Sequence, residues 1–125
     1  MHPTLRGLCE AHLEKSFLAH LPIRVAVSYR GPDEQAVAFT KGASLATFGK
    51  SPHNFDPCLG YDVVFLPESP GDKDVYDLST IPADVEWDMV GRVGKEVGLE
   101  WGGDWVKLKD RPHFQLANWR QYVKA

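Results

Sequence analysis

No apolar run in this chain approaches the ~18 residues that a bilayer-spanning helix needs, so no membrane partner is expected. The start, Met1-His2-Pro3-Thr4-Leu5-Arg6, has no basic stretch followed by an apolar core, so no secretory signal is read there. The expectation is a protein made and folded in the cytoplasm. Positive charge is not in excess: 14 Lys and Arg stand against 17 Asp and Glu, a net charge of -3. That balance excludes a general basic field for nucleic acid. Cysteine is scarce. Cys9 and Cys58 are too few for a disulfide framework, and both are expected to be reduced. There is no internal repeat, low-complexity tract or interdomain linker. One domain spanning 1–125 is expected, long enough for one core.

What is present alternates between helix and strand signals. Residues 4–20 read as an amphipathic helix, with Thr4 as N-cap and Leu5, Leu8, Cys9, Leu13, Phe17 and His20 at three- and four-residue steps. His12 near Cys9 and Ser16 has weak metal spacing and reads as a partly exposed helix histidine. Ile23 to Tyr29 alternates and is rich in β-branched residues, a strand. Gly31-Pro32 turns the chain, and a helix follows from Pro32 or Asp33 to about Lys41, closed by Gly42. After a polar loop, Leu59 to Leu66 reads as a buried strand. Residues 67–80 read as a polar excursion with a short strand near Val75-Tyr76. Asp72, Asp74 and Asp77 lack the glycine and closing glutamate of a calcium loop. Residues 82–97 form the best helix, with Pro82 in its first turn, Trp87, Val90, Val93, Gly94 and Val97 inside, and Gly98 as C-cap. Asn118 to Tyr122 reads as a short terminal helix or turn packing Trp119 and Tyr122 onto the body. This order implies an α+β fold, a small mostly antiparallel sheet packed with helices.

The stretch Gly98-Leu99-Glu100-Trp101-Gly102-Gly103-Asp104-Trp105, running on to Asp110-Arg111-Pro112-His113-Phe114-Gln115-Leu116, carries the chemistry. Its paired glycines are expected to take backbone angles that other residues avoid. Asp110 and His113 lie three apart, and Pro112 rules out a helix interior. They share a site only if the chain bends at Arg111-Pro112, because positions three apart in a strand face opposite ways. The pair then serves metal or acid/base chemistry. Otherwise it is a capping aspartate and a core histidine. Asp62 sits in an apolar strand, where a carboxylate must be paired or bind metal. Arg30, at a strand end beside a helix start, can grip a carboxylate or carbonyl, or pair with Asp33 or Glu34.

Taken together these motifs resemble the M15 zinc peptidases, in the branch of phage-endolysin L-alanyl-D-glutamate endopeptidases related to D-alanyl-D-alanine carboxypeptidases. The resemblance runs from Arg24 to Gln115. Tyr29-Arg30-x-Pro32-x-Glu34-Gln35 is similar to the family's first motif, Ser51-x-His53 with a later Asp62-Val63 to its second, and the tryptophan–glycine stretch with Asp110-Arg111-Pro112-His113 to its third. The second departs from the pattern. Asp56-Pro57-Cys58 lengthens the gap from His to Asp, and the usual Gly-x-Ala reads Leu59-Gly60-Tyr61. Either Asp56 or Asp62 could then be the ligand, and Asp62 is preferred because the Val-Val-Phe strand follows it. Cys58 could offer a thiolate but reads as a small buried residue.

The resemblance implies the M15 (DD-peptidase/Hedgehog-like) fold and one zinc ion per chain on His53, Asp62 and His113, with a fourth position for water. It implies Asp110 as general base and Arg30 as the group that orients substrate or stabilises the oxyanion. Gln35 and Ser51 are further candidates for contact with substrate or ligands. The implied activity is hydrolysis of the peptidoglycan stem peptide at the L-alanyl-D-glutamate bond for host cell lysis. A monomer would wait in the host cytoplasm for a separate holin-like route to the wall. The rivals are a D-alanyl-D-alanine carboxypeptidase or dipeptidase, and a peptidoglycan-binding module with a structural zinc.

Overall fold

The computed structural model describes residues 1–41, 46, 48–66, 83–107 and 109–123. Gly42, Pro82, the excursion at 67–80 and its aspartates lie outside the described residues.

The first helix, α1, spans Pro3–Leu18. Pro3 occupies its first turn, where a missing N–H costs nothing. His2, not Thr4, is the cap: its Nδ1 accepts from the Thr4 N–H at 3.1 Å. The buried stripe is also rotated from the expected one. Leu5, Cys9, His12 and Ser16 face inward, while Phe17 is 69% exposed. His12 is thus not an exposed histidine. It is fully buried, with Nδ1 2.7 Å from the Tyr61 hydroxyl and Nε2 3.0 Å from the Val90 carbonyl oxygen. Two polar partners make a core position tolerable for an imidazole.

Six further elements frame the site. Strand β1 is Ile23–Val27 and helix α2 is Pro32–Thr40, with Pro32 in the first turn after Gly31. Strand β2 is Gly60–Phe65, buried throughout. Helix α3 is Ala83–Glu96. It ends as the sequence predicts, at Gly98 with φ +108°, a left-handed position that suits glycine. Strand β3 is Leu99–Trp101 and strand β4 is His113–Leu116. The sheet runs β1-β2-β4-β3 with every pairing antiparallel.

Side-chain alternation divides this sheet into two faces. Tyr61, Val63 and Phe65 of β2, Phe114 and Leu116 of β4, and Leu99 and Trp101 of β3 join Leu5, Trp87 and Val90 in the core. Each such large side chain contributes about 1.5–3 kcal/mol by leaving water. The intervening residues, Asp62, His113, Gln115 and Glu100, belong to the other face. The register sets Asp62 directly opposite His113 and Gln115 opposite Glu100.

Two glycines work differently from expectation. Gly102 and Gly103, in a 3-10 turn at Gly102–Asp104, have no positive φ. They are small because the chain is crowded. A Cβ on Gly103 would strike the Trp101 ring, and one on Gly102 would strike the Asp110 carbonyl oxygen. Trp101 is held between Gly103 and Gly91 of α3, where a Cβ would also meet its ring.

Candidate metal centre

Three elements deliver three donor atoms to one buried point. Asp62 comes from β2 and His113 from β4, as cross-strand partners. His53 comes from a 3-10 turn at Pro52–Asn54 whose N-cap is Ser51. His113 Nδ1 lies 2.9 Å from Asp62 Oδ1 and 3.1 Å from His53 Nε2, and His53 Nε2 lies 3.2 Å from Asp62 Oδ1. All three residues are buried. Asp56 is exposed, at the cis Asp56–Pro57 bond, and takes no part. Cys58 is a buried core residue, its thiol pushed up by burial, and is outside the cluster.

Outer hydrogen bonds aim the two imidazoles. His53 Nδ1 meets the Ser28 carbonyl oxygen at 2.8 Å. A carbonyl only accepts, so Nδ1 carries the proton and Nε2 turns its lone pair inward. His113 Nε2 meets Gln115 Oε1 at 2.8 Å, while Gln115 Nε2 donates to Glu100 Oε2 at 2.9 Å. The Glu100 carboxylate thereby fixes which way the Gln115 amide points, and His113 Nδ1 is left facing inward. Burial alone would raise the Asp62 carboxyl, but His113 and then His53, in the forms that carry a proton on the inward nitrogen, outweigh it by hydrogen bonding and charge and hold the group well below the usual carboxylate range. Burial would lower His113, but Asp62 outweighs it and the imidazole is raised.

Asn54 clamps this architecture, and no motif pointed to it. Its Oδ1 accepts from the Gly49 and Ser51 N–H groups, and its Nδ2 donates to the Arg30 carbonyl and Gln35 Oε1. Its spacing from Ser51 matches a capping box, the one signal that could have revealed it. Ser51 Oγ accepts from the His53 N–H at 3.3 Å. Gln35, expected to contact substrate, is fully buried behind Arg30. It accepts from Arg30 Nη1 at 3.1 Å and donates to the Ala46 carbonyl at 2.7 Å, so it positions the guanidinium.

The cluster floors a cavity of about 390 Å3 lined by Arg30, Ser51, His53, Trp105, Asp110 and His113, among others. Arg30 Nη2 is 3.7 Å from Asp62 Oδ2. Trp105 tilts over His113 with ring centroids 5.1 Å apart. The bend expected at Arg111-Pro112 is present: the His113 N–H donates to the Asp110 carbonyl at 3.1 Å. The Asp110 N–H donates to the Gly102 carbonyl at 3.0 Å, and Trp101 Nε1 donates to the Arg111 carbonyl at 2.7 Å. Burial, then the negative charge of Asp62, pushes the Asp110 carboxyl up to about 6. A carboxyl so placed can exchange a proton near neutral pH.

The donor set fits a small divalent cation. Two imidazole nitrogens and a carboxylate oxygen converge, each with a lone pair inward. Tetrahedral bonds of ~2.0–2.1 Å to zinc put ligand atoms roughly 3.3 Å apart, and the three separations here are 2.9, 3.1 and 3.2 Å. An ion held by these three donors would keep one further position open for water.

A family model for M15 peptidases, described as D-alanyl-D-alanine carboxypeptidase, matches residues 47–116. The matched span contains His53, Asp62, Asp110 and His113. The chain is similar to the peptidoglycan L-alanyl-D-glutamate endopeptidase CwlK of Bacillus subtilis (strain 168). The two are 24% identical over 126 residues, covering 93% of this chain and 73% of CwlK. The crystal structure of the Serratia marcescens L-Ala D-Glu endopeptidase ChiX matches with a TM-score of 0.72 and 25% identity, over 98% of this chain and 84% of ChiX.

Proposed function

The chain belongs to the M15 peptidase family, and from that premise we propose that it is a zinc-dependent peptidoglycan hydrolase cleaving the L-alanyl-D-glutamate bond of the stem peptide. The observation that carries the zinc reading is the meeting of His53 Nε2, Asp62 Oδ1 and His113 Nδ1 at one buried point under an open cavity. The bond assignment is supported by the L-alanyl-D-glutamate endopeptidase activity for which CwlK and ChiX are named.

His53, Asp62 and His113 would hold the ion, one per chain. The chemistry such an ion supplies when bound is Lewis acidity toward water and toward the scissile carbonyl. Asp110 takes a proton from water and returns it to the leaving amine, with its carboxyl near 6 suited to both transfers. Arg30, held by Gln35 and Asp62, orients the substrate carbonyl and steadies developing negative charge. Ser51 secures the His53 backbone and offers its hydroxyl to the cavity. Trp105 narrows the approach of bulk water.

A phage endolysin acting in host lysis is part of this reading, supported by the motif resemblance alone. It would wait in the host cytoplasm until a separate holin-like route let it reach the wall. The description of the family model favours a second specificity, D-alanyl-D-alanine carboxypeptidase, which product analysis separates. A purely structural zinc would leave Asp110 and the open cavity without a role.

Elemental analysis and sacculus digestion on the same samples test the reading. Wild type should carry one zinc and lose hydrolysis on chelation, with recovery on adding zinc. His113→Ala and Asp62→Ala should lose the metal, and Asp56→Ala should keep it. Undiminished zinc in His113→Ala would remove that ligand from the set.

A further inference from the structure

We propose that Arg120 and Lys50 form a carboxylate-binding subsite beside the metal centre, one that selects an acidic stem peptide over its amidated counterpart. The proposal rests on the stem-peptide reading above and deepens it.

The chain as a whole is acidic, with a net charge of -3. The cavity over the metal centre is the reverse. Among its described lining residues, Arg30, Lys50, Lys107 and Arg120 are cationic and Asp110 alone is a carboxylate. Arg30 is already engaged with Asp62. Among the described residues, neither Lys50 nor Arg120 has a carboxylate partner. A local reversal of charge with unspent cations favours an anionic ligand.

Arg120 is also held in place. Its Cζ lies 4.6 Å from the centroid of the Trp119 ring. Trp119 is itself buried and packs on Phe55, with centroids 5.6 Å apart. A guanidinium lying on a fixed indole keeps its N–H edges available for a bidentate contact and loses little freedom on making one. Lys50, exposed on the same cavity wall, adds a second charge.

Position supports the assignment. Lys50, Trp119 and Arg120 line the metal-centre cavity and also a second one of about 510 Å3 that reaches Phe55 and Val123. A peptide leaving the metal centre in that direction crosses Arg120. D-glutamate, bonded through its amine to L-alanine and through one carboxyl to the next residue, keeps its other carboxyl free. That free group is the anion nearest the proposed scissile bond.

The test uses two synthetic stem peptides that differ only in this carboxylate, one acid and one carboxamide, with zinc-loaded protein. Wild type should prefer the acid by ~10-fold or more in kcat/KM, the scale of a charge-assisted hydrogen bond. In Arg120→Gln the acid-to-amide ratio should collapse toward one through KM, with Lys50→Met reducing it in part. Equal handling of both peptides by wild type, or an unaltered ratio in Arg120→Gln, would overturn the subsite. If wild type cleaves neither peptide, the function reading is what fails. Calorimetric binding of the same two peptides to wild type and Arg120→Gln then decides the subsite by the same ratio in Kd.

Discussion

Asp110 is where a structural and a catalytic account part most sharply. Its carboxyl is raised to about 6 by burial and by Asp62, so it is still mainly ionised at neutral pH, but that ionisation costs the fold stability. Asp110→Asn removes that ionisation and keeps the shape. The expected result is retained zinc and an unchanged or higher Tm at pH 7.5, with a rate loss of ~10²–10⁴. Near-normal hydrolysis would return Asp110 to a turn-forming role. Gln115 offers a second comparison, because it touches His113 and not the metal position. Gln115→Leu removes the acceptor that keeps the His113 proton on Nε2. Zinc affinity, measured by competition with a chelator, should weaken ~10–100-fold. Glu100→Gln should cost less, since an amide oxygen still accepts from Gln115. Unchanged zinc affinity in Gln115→Leu would mean that the ring is held by packing alone.

At the scale of elements, strand register does the assembling. Asp62 opposite His113 places two donors side by side, and a slip of one residue would turn one of them into the core. The turn at Gly102 then sets Asp110 beside them. Gly102→Ala puts a methyl group against the Asp110 carbonyl oxygen, and such overpacking typically costs ~1–3 kcal/mol. Hydrolysis should fall further than the loss of stability explains, with soluble folded protein still recovered. Full activity in a folded Gly102→Ala would separate the turn from the site. Helix ends and strands were legible in the sequence where punctuation was strong, at Gly31-Pro32 and at Gly98. The α1 face was not, because Phe17 is apolar yet exposed while His12 and Ser16 are polar yet buried. Periodicity counts hydrophobicity and cannot see that Tyr61 and Val90 lie ready to satisfy an imidazole. At the site, motif resemblance picked out His53, Asp62 and His113, and these do converge. Asn54, Gln115 and Glu100 act by hydrogen bonds across 15 to 24 residues of chain, a relation that no local pattern records. Gln115 left one trace, two positions after His113 on the same strand face.

Considered as a whole, the molecule places a hydrophobic core behind its sheet and a polar centre in front, and pH acts on both. His12 in the core takes a proton only near 4, against 6.5 for an ordinary histidine, because burial outweighs the hydrogen bond to Val90. Between those values the unfolded chain binds more protons, so this group makes stability fall as pH drops from 6.5 toward 4, by up to about 3 kcal/mol. Asp110 acts in the opposite sense between 3.8 and about 6, so the useful quantity is the difference between wild type and His12→Gln. Denaturation midpoints across this range should show a shallower acid decline in the variant. Parallel curves would mean that His12 is not held neutral. The front of the sheet is defined most directly by the bond that it cuts. Mass spectrometry of muropeptides digested by the zinc-loaded protein addresses this directly. The predicted products carry new amino termini on D-glutamate and vanish when zinc is chelated. Release of free D-alanine with the L-alanyl-D-glutamate bond intact would contradict it.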